Sequence, residues 1–384
     1  MLRATRKIDE RQLRTQIVLA KRAVIKVGSQ VLCQADGQLD QSVFANLCAN
    51  IAVLLRQGRE VVLVSSGAVA TGTGALAQRK LKNQIGKQAL AAIGQPLLMA
   101  HYRQLFAGHE IEVAQVLLTH ADLADRGRFL HARRVIAELA GAGILTIVNE
   151  NDTVAVEELK FGDNDALAAQ VAHLTSSDVL VLLTEVAGLY TADPQKDPGA
   201  RLISGVHGHD DATLALAGDS KTAFGTGGMR SKVAAARRAG DVGAVAVIAS
   251  GKQPDVLAAI FGGQAVGTVF APGRKKLTGK RSWIATSVRT KGILTVDDGA
   301  AAALRSGGRS LLPIGVVQVE GIFAVGDAVL VVDRQGKPLG HGLVRYDSHD
   351  ARHVAGWRTD KITSELGALP AAELIHRDDF APFH

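Results

Sequence analysis

The sequence predicts an α/β fold, a three-layer αβα sandwich around a mostly parallel sheet, followed by a small C-terminal β-barrel. Three observations carry this. From residue 22 to about 270, short aliphatic runs alternate with helical patterns, as when crossover helices cover both faces of a parallel sheet. The 384 residues exceed what one core usually organises, so a second domain is expected. Beyond Phe270 the helical period gives way to short strands separated by glycine turns.

In chain order, Arg22 to Val27 reads as the first buried strand. An amphipathic helix follows at Gln41 to Gln57, where Val43, Phe44, Leu47, Ile51, Leu54 and Leu55 share one face; Asp40 caps it and Gly58 ends it. Further strands fall at Glu60 to Val64, Ile111 to Leu117, Ile144 to Val148, Val179 to Leu183 and Ala244 to Ile248, each rich in β-branched or aliphatic residues. Helices fill the intervals, notably Arg126 to Ala140, Asp165 to Leu174 and Met229 to Ala239. The expected divisions are a basic N-terminal extension over 1–21, the first domain over 22–272, a basic linker over 273–290 and the β-rich domain over 291–384. In that last part, Gly315 to Asp333 alternates apolar and small residues, and a turn at Asp333 to Gly336 precedes the segment His341 to Tyr346.

Composition argues against several classes. Hydrophobic residues at 47% and charged residues at 21% are values of packed domains. No run of eighteen apolar residues occurs and charges interrupt the N-terminal region, so a cytoplasmic protein is expected. Cys33 and Cys48 fit neither a zinc pair nor a redox motif, and both are assigned to packing with no disulfide. The net charge of +7 is local: residues 1–26 carry eight Lys or Arg against Asp9 and Glu10, and Arg274 to Lys291 carries seven with no acid. The remainder is net acidic, and aromatic residues for stacking bases are scarce at 4%, so RNA is not the expected partner. His207, His209, Asp210 and Asp211 lack a third ligand at a familiar spacing, so no protein metal site is expected.

Four polar, glycine-rich segments follow strands of the first domain, where open α/β sheets bind ligands. The first is Lys26-Val27-Gly28-Ser29, a lysine at a strand end beside a glycine that admits an anion to the backbone. Next comes Ser65-Ser66-Gly67-Ala68, whose amides at a helix start suit a carboxylate or phosphate. Gly72, Gly74 and Ala77 satisfy a loose dinucleotide fingerprint, but no acidic residue lies between Lys80 and His109 and the tight turn after the strand is missing; a nicotinamide site is rejected. The third comprises Asn149-Glu150-Asn151-Asp152-Thr153 and Phe161-Gly162-Asp163-Asn164-Asp165. There Asp152 suits a substrate ammonium and Asn164 a substrate carboxylate, although Asn, Asp and Gly also favour plain turns. The fourth joins Thr184-Glu185 to Gly225-Thr226-Gly227-Gly228-Met229-Arg230-Ser231-Lys232, glycines opening a helix with a lysine one turn in, which has the makings of a phosphate cradle.

These segments, in this order, resemble the amino-acid kinases, and in particular the branch that phosphorylates glutamate. Val24-Ile25-Lys26-Val27-Gly28, Val64 to Ala68, Asn149 to Asp152, Gly162 to Asp165, Gly188 to Pro194 and Thr226 to Lys232 carry the resemblance, which covers nearly the whole chain. The C-terminal part resembles a PUA domain through Ser310 to Gly315, Gly321, Gly326-Asp327 and Gly342 to Ser348. The resemblance implies ATP, with Mg²⁺ carried on it, and L-glutamate as substrates, in the first step of proline synthesis. It implies that Ser66, Gly67, Asn149, Asp152 and Asn164 bind glutamate. It also implies that Lys26 and Lys232 contact the ATP phosphates while Asp165 organises the two lysines. Gly28, Thr184, Glu185 and Thr226, Gly227, Gly228, Met229, Arg230, Ser231 and Lys232 would bind the nucleotide. Inhibition by L-proline and a homo-oligomer, a tetramer, are implied by the same resemblance. Two positions depart from the family's pattern, Glu185 where Asp is common and Gln30 where a hydroxyl residue is. The extension before Arg22 is longer than usual and is expected to be partly disordered and dispensable. A sibling kinase acting on aspartate, acetylglutamate or carbamate, and an RNA-binding protein built on the PUA-like part, are the competing readings.

Overall fold

In the described part of the first unit, eight strands form one sheet: β1 (Arg22–Val27), β2 (Glu60–Ser65), β3 (Val113–Leu118), β4 (Leu145–Glu150), β5 (Val179–Thr184), β6 (Gly205–His207), β7 (Val245–Ser250) and β8 (Thr268–Ala271). Their order is β3-β4-β2-β1-β5-β7-β8-β6, parallel at every pairing except β7 with β8. The protein is described by a computed structural model at residues 9–34, 38–77, 85–155, 163–194, 196–207, 228–273, 279–366 and 371–383. It divides into two units, Met1–Lys276 and Leu277–His384.

Burial on both faces explains why the strands read as unbroken aliphatic runs rather than alternations. On one face Ile25, Val27, Leu63, Ile147, Val181 and Val247 meet α1 (Glu10–Leu19), α3 (Gln41–Arg56), α5 (Lys87–Ala107) and α10 (Val256–Phe261), with α2 (Ser29–Leu32) near the strand ends. The other face carries α8 (Asp163–Leu174) and α9 (Met229–Asp241), which pack on each other and on β1, β5 and β7. Helices α4 (Ala68–Ala75), α6 (His120–Ala124) and α7 (Arg126–Gly141) also belong to the described part of the unit. Strands β4, β2, β1 and β5 are neighbours and parallel, so the four loops that leave their carboxyl ends converge along one edge.

Two expectations are corrected. The chain before Arg22 contains a packed helix, α1, because Leu13 and Ile17 stand one turn apart and Asp9 caps the start through Gln12 N–H. Ile17 is fully buried, and Arg14 Nη1 donates to Gln264 O and Val266 O at 2.7 and 3.1 Å, so the basic segment clamps the turn before β8. The stretch expected as a linker likewise holds a helix, α11 (Gly279–Thr286), with Trp283 and Ile284 buried. Its charges are placed as well, Lys280 pairing with Asp379 and Arg281 with Asp378.

In the second unit β9 (Thr290–Val296), α12 (Asp298–Ser306), β10 (Val316–Gly321), β11 (Ala328–Val332), β12 (Pro338–Leu343), α13 (Ser348–Val354), α14 (Thr359–Leu366) and β13 (Phe380–Pro382) follow α11. The strands order β10-β9-β11-β12-β13, with β9 and β11 parallel and the other pairs antiparallel. Leu294, Val296, Val329, Val331, Tyr346 and Ile375 centre its own core. Neither cysteine is in a disulfide, and burial pushes the Cys48 thiol up to about 12, which keeps it an inert packing group.

Candidate active site

Lys26 occupies an inward position of β1, on the face covered by α8 and α9, and only 5% of it is exposed. A lysine so placed needs a counter-charge. Asp165, in the first turn of α8 and 1% exposed, supplies it with Oδ1 at 2.7 Å from Lys26 Nζ. Its Oδ2 meets Lys232 Nζ at 3.1 Å and accepts from the Ser231 hydroxyl at 2.7 Å. Lys232 and Ser231 come from the first turn of α9, so packing of α8 against α9 brings the three charges together.

Burial would push the Asp165 carboxyl up, but the ammonium groups of Lys26 and Lys232 and the Ser231 hydroxyl outweigh it and hold the carboxyl below the ordinary range. For Lys232 burial dominates, joined by repulsion from Lys26, and its ammonium is held below the usual lysine value although Asp165 pulls the other way. Two ammonium groups thus meet on one buried carboxylate, a concentration of positive charge that suits an anionic ligand. Gly28 stands beside it: a Cβ built there would lie 3.7 Å from Lys26 Nζ, so a longer side chain would cover the ammonium.

Next to Asp165 in sequence, Asn164 faces the other way. Its Nδ2 lies 2.8 Å from Ser66 Oγ, 3.0 Å from Asn149 Oδ1 and 3.4 Å from Ser65 O. Ser66 follows β2 and Asn149 lies in β4, so the first turn of α8 touches the carboxyl ends of both strands. Gly67 has φ 112°, a left-handed conformation that glycine adopts without strain, and it opens α4. Asp152 sits half-buried in the turn after β4.

Thr184 ends β5, and its carbonyl accepts from Gly251 N–H at 2.8 Å. Glu185 is exposed and pairs with Lys252 at 3.0 Å. Its carboxylate is near enough to favour the charged form of Lys232. Gly228, Met229 and Arg230 lead into Ser231 at the start of α9. Phe161, Gly162, Gly225, Thr226, Gly227, His209, Asp210 and Asp211 lie outside the described residues.

Sequence reasoning thus chose residues that do meet, Lys26, Lys232 and Asp165 in one group and Ser66, Asn149 and Asn164 in another. It missed Gln95 and Tyr102 of α5 and Lys252 after β7. Gln95 before Pro96 inside a helix was the one local cue, since a proline there interrupts the backbone ladder.

Residues 21–250 match the amino acid kinase family and residues 292–366 match the PUA domain. The chain belongs to the amino acid kinase family. Its relatives include proteins named glutamate 5-kinase. One from Ralstonia nicotianae is 44% identical over 368 residues, covering 96% of this chain and 98% of that one. Another from Myxococcus xanthus is 46% identical over 369 residues, covering 96% and 98%, and one from Meiothermus ruber is 46% identical over 362 residues, covering 94% and 95%. Among solved structures, carbamate kinase from Giardia lamblia bound to AMP-PNP is similar with a TM-score of 0.49 and 20% identity, covering 67% of this chain and 100% of that one.

Proposed function

We propose that the protein is an ATP-dependent kinase of L-glutamate, moving the γ-phosphoryl group of ATP to the side-chain carboxylate to give L-glutamyl 5-phosphate and ADP. The observation that carries this is the first turn of α8, where Asn164 reaches Ser66 while its neighbour Asp165 holds Lys26 and Lys232. Such a turn sits between a small polar substrate and a phosphate chain and fixes their separation. The names and the near-complete coverage of the relatives support glutamate as the acceptor.

A glutamate side chain is ionised at neutral pH, with an ordinary pKa of about 4.3, so the nucleophile needs no general base. Its carboxylate oxygen attacks the γ-phosphorus as the bond to the bridging oxygen breaks, and ADP leaves with the electron pair. Lys26 and Lys232 neutralise the charge spread over the peripheral oxygens, and Asp165 holds both ammonium groups in place. The donor set suits Mg²⁺ arriving with the nucleotide, since both Asp165 oxygens already face ammonium groups and Glu185 faces Lys252. On the phosphates the ion would supply further charge neutralisation.

Hydroxylamine traps acyl phosphates as hydroxamates, which tests the reading directly. Hydroxamate is expected with ATP, Mg²⁺ and L-glutamate. Formation only with aspartate, acetylglutamate or carbamate would overturn the acceptor, and none with any acid would overturn the kinase. The proposal extends to a cytoplasmic homo-oligomer inhibited by L-proline, checked by sedimentation and by titrating proline against turnover.

A further inference from the structure

Helix α5 stands behind the substrate side of the site, and two of its side chains touch the substrate loops. Gln95 Oε1 accepts from Asn149 Nδ2 at 2.8 Å, and the Tyr102 hydroxyl lies 2.8 Å from Ser65 Oγ. Seven residues are two helical turns, so both side chains leave α5 on one face.

One backbone group reveals the direction of the bonds in the first chain, and Gln95 Oε1 holds the Asn149 amide in that orientation from its nitrogen side. Glu150 N–H can only donate, and it points at Asn149 Oδ1 at 2.9 Å. The Asn149 amide therefore has its oxygen toward Asn164 and its nitrogen toward Gln95. Asn164 must then donate, and its Nδ2 is engaged by Asn149 Oδ1 and Ser66 Oγ. The atom left over is Asn164 Oδ1, buried and without a hydrogen-bond partner. It is an acceptor, which attracts an ammonium group and repels a carboxylate.

The second chain is directed in the same way. Ser65 Oγ donates to Ser66 O at 3.0 Å, so the Tyr102 hydroxyl is the donor to Ser65. Pinning the Ser66 carbonyl inward turns the N–H of the same trans peptide, that of Gly67, to the opposite side. An outward N–H at the start of α4 suits a carboxylate.

We propose that Gln95 and Tyr102 are positioning residues that set the polarity of the amino-acid subsite, Gln95 turning an acceptor to the substrate ammonium through Asn149 and Asn164, and Tyr102 turning the Gly67 N–H to a substrate carboxylate. The proposal rests on the glutamate reading above and assigns to Asn164 the ammonium rather than the carboxylate that the sequence alone suggests.

The test compares glutamate with glutarate, which keeps both carboxylates and lacks the ammonium. In Gln95→Leu the KM for glutamate rises roughly tenfold, the size of one charge-assisted hydrogen bond. The KM for ATP and the inhibition constant of glutarate stay within about twofold, because neither ligand uses that acceptor. Gln95→Glu, which keeps an oxygen facing Asn149, returns the glutamate KM to within about threefold of the parent. Tyr102→Phe raises the glutamate KM and the glutarate constant together. Equal shifts for glutamate and glutarate in Gln95→Leu, an equal shift in the KM for ATP, or no shift at all would overturn the assignment. If the parent forms no hydroxamate from glutamate, the glutamate reading fails and takes this proposal with it; if it does, those outcomes refute the positioning role alone.

Discussion

Asp165 is the residue on which the two halves of the site balance, and its titration is accessible to experiment. Its carboxyl is held below the ordinary range, so its contribution to stability is complete above the unfolded value of about 3.9 and is lost as pH falls through the lower folded value. Asp165→Asn removes the carboxylate on which two buried ammonium groups meet, a loss of about 3 to 5 kcal/mol at neutral pH. In urea unfolding, the gap between the parent and Asp165→Asn is therefore widest near pH 7 and narrows at acid pH as the parent's carboxylate protonates. A gap that does not change with pH would remove the ion pairs as its cause. Lys232 titrates from the other side. Its lowered pKa means the ammonium is lost at a pH below the ordinary lysine value of about 10.4, and turnover should fall with it. Lys232→Met should cut turnover by roughly 10² to 10³, about 3 to 4 kcal/mol, the size of one preorganised charge-stabilising donor. A chevron of rates is not needed to read this; steady-state turnover of a variant with parent-like circular dichroism suffices.

At the scale of elements, the junction of α4 and α5 decides how closely Gln95 and Tyr102 of α5 approach Asn149 and Ser65. A Cβ built on Gly94 would lie 1.8 Å from Ala68 O and 2.4 Å from Gly72 N, and one on Gly72 would lie 2.0 Å from Leu90 O. The two helices touch backbone to backbone there, and Gln95 and Tyr102 follow on α5. Gly94→Ala must push the helices apart, at a cost of at least about 1 to 3 kcal/mol for overpacking. The KM for glutamate should rise more than the KM for ATP, because α4 begins at Gly67 while the lysine cluster rests on β1, α8 and α9. Gly141→Ala is the control: it lies at the end of α7 with nothing within 4 Å of its Cβ, and should leave both constants unchanged. This element also marks the limit of what the sequence discloses. Lys26, Ser66, Asn149 and Asn164 were legible because each stands at a strand end or helix start, where a polar residue among aliphatic ones has few structural uses. Gln95 and Tyr102 were not, because a polar side chain in the middle of a long helix gains its meaning only from what crosses that helix. Gly72 was noticed as part of a dinucleotide fingerprint, and its role turned out to be the helix crossing.

For the whole molecule, the alternation of aliphatic runs and helical periods disclosed the sheet and its order of layers, since burial on both faces leaves no other pattern. It did not disclose that the chain before β1 belongs to the same core. Its six Lys and Arg masked two apolar residues one turn apart. Leu13 is 7% and Ile17 0% exposed, and both join the cluster beneath β1, β5 and β7. Each buried side chain of this kind contributes about 1.5 to 3 kcal/mol, against a total stability of about 5 to 15 kcal/mol for a domain. Ile17→Ala should accordingly lower stability by about 2 to 5 kcal/mol in urea unfolding. Helix α1 packs on α10, β7 and β8, whereas Lys26, Asp165 and Lys232 stand on β1, α8 and α9. The folded fraction of Ile17→Ala should therefore keep the parent's KM for glutamate and for ATP, so that the loss of activity on warming follows unfolding alone. Parent-like stability would show that α1 is dispensable after all. A changed KM at a temperature where the variant is fully folded would instead tie this helix to the site.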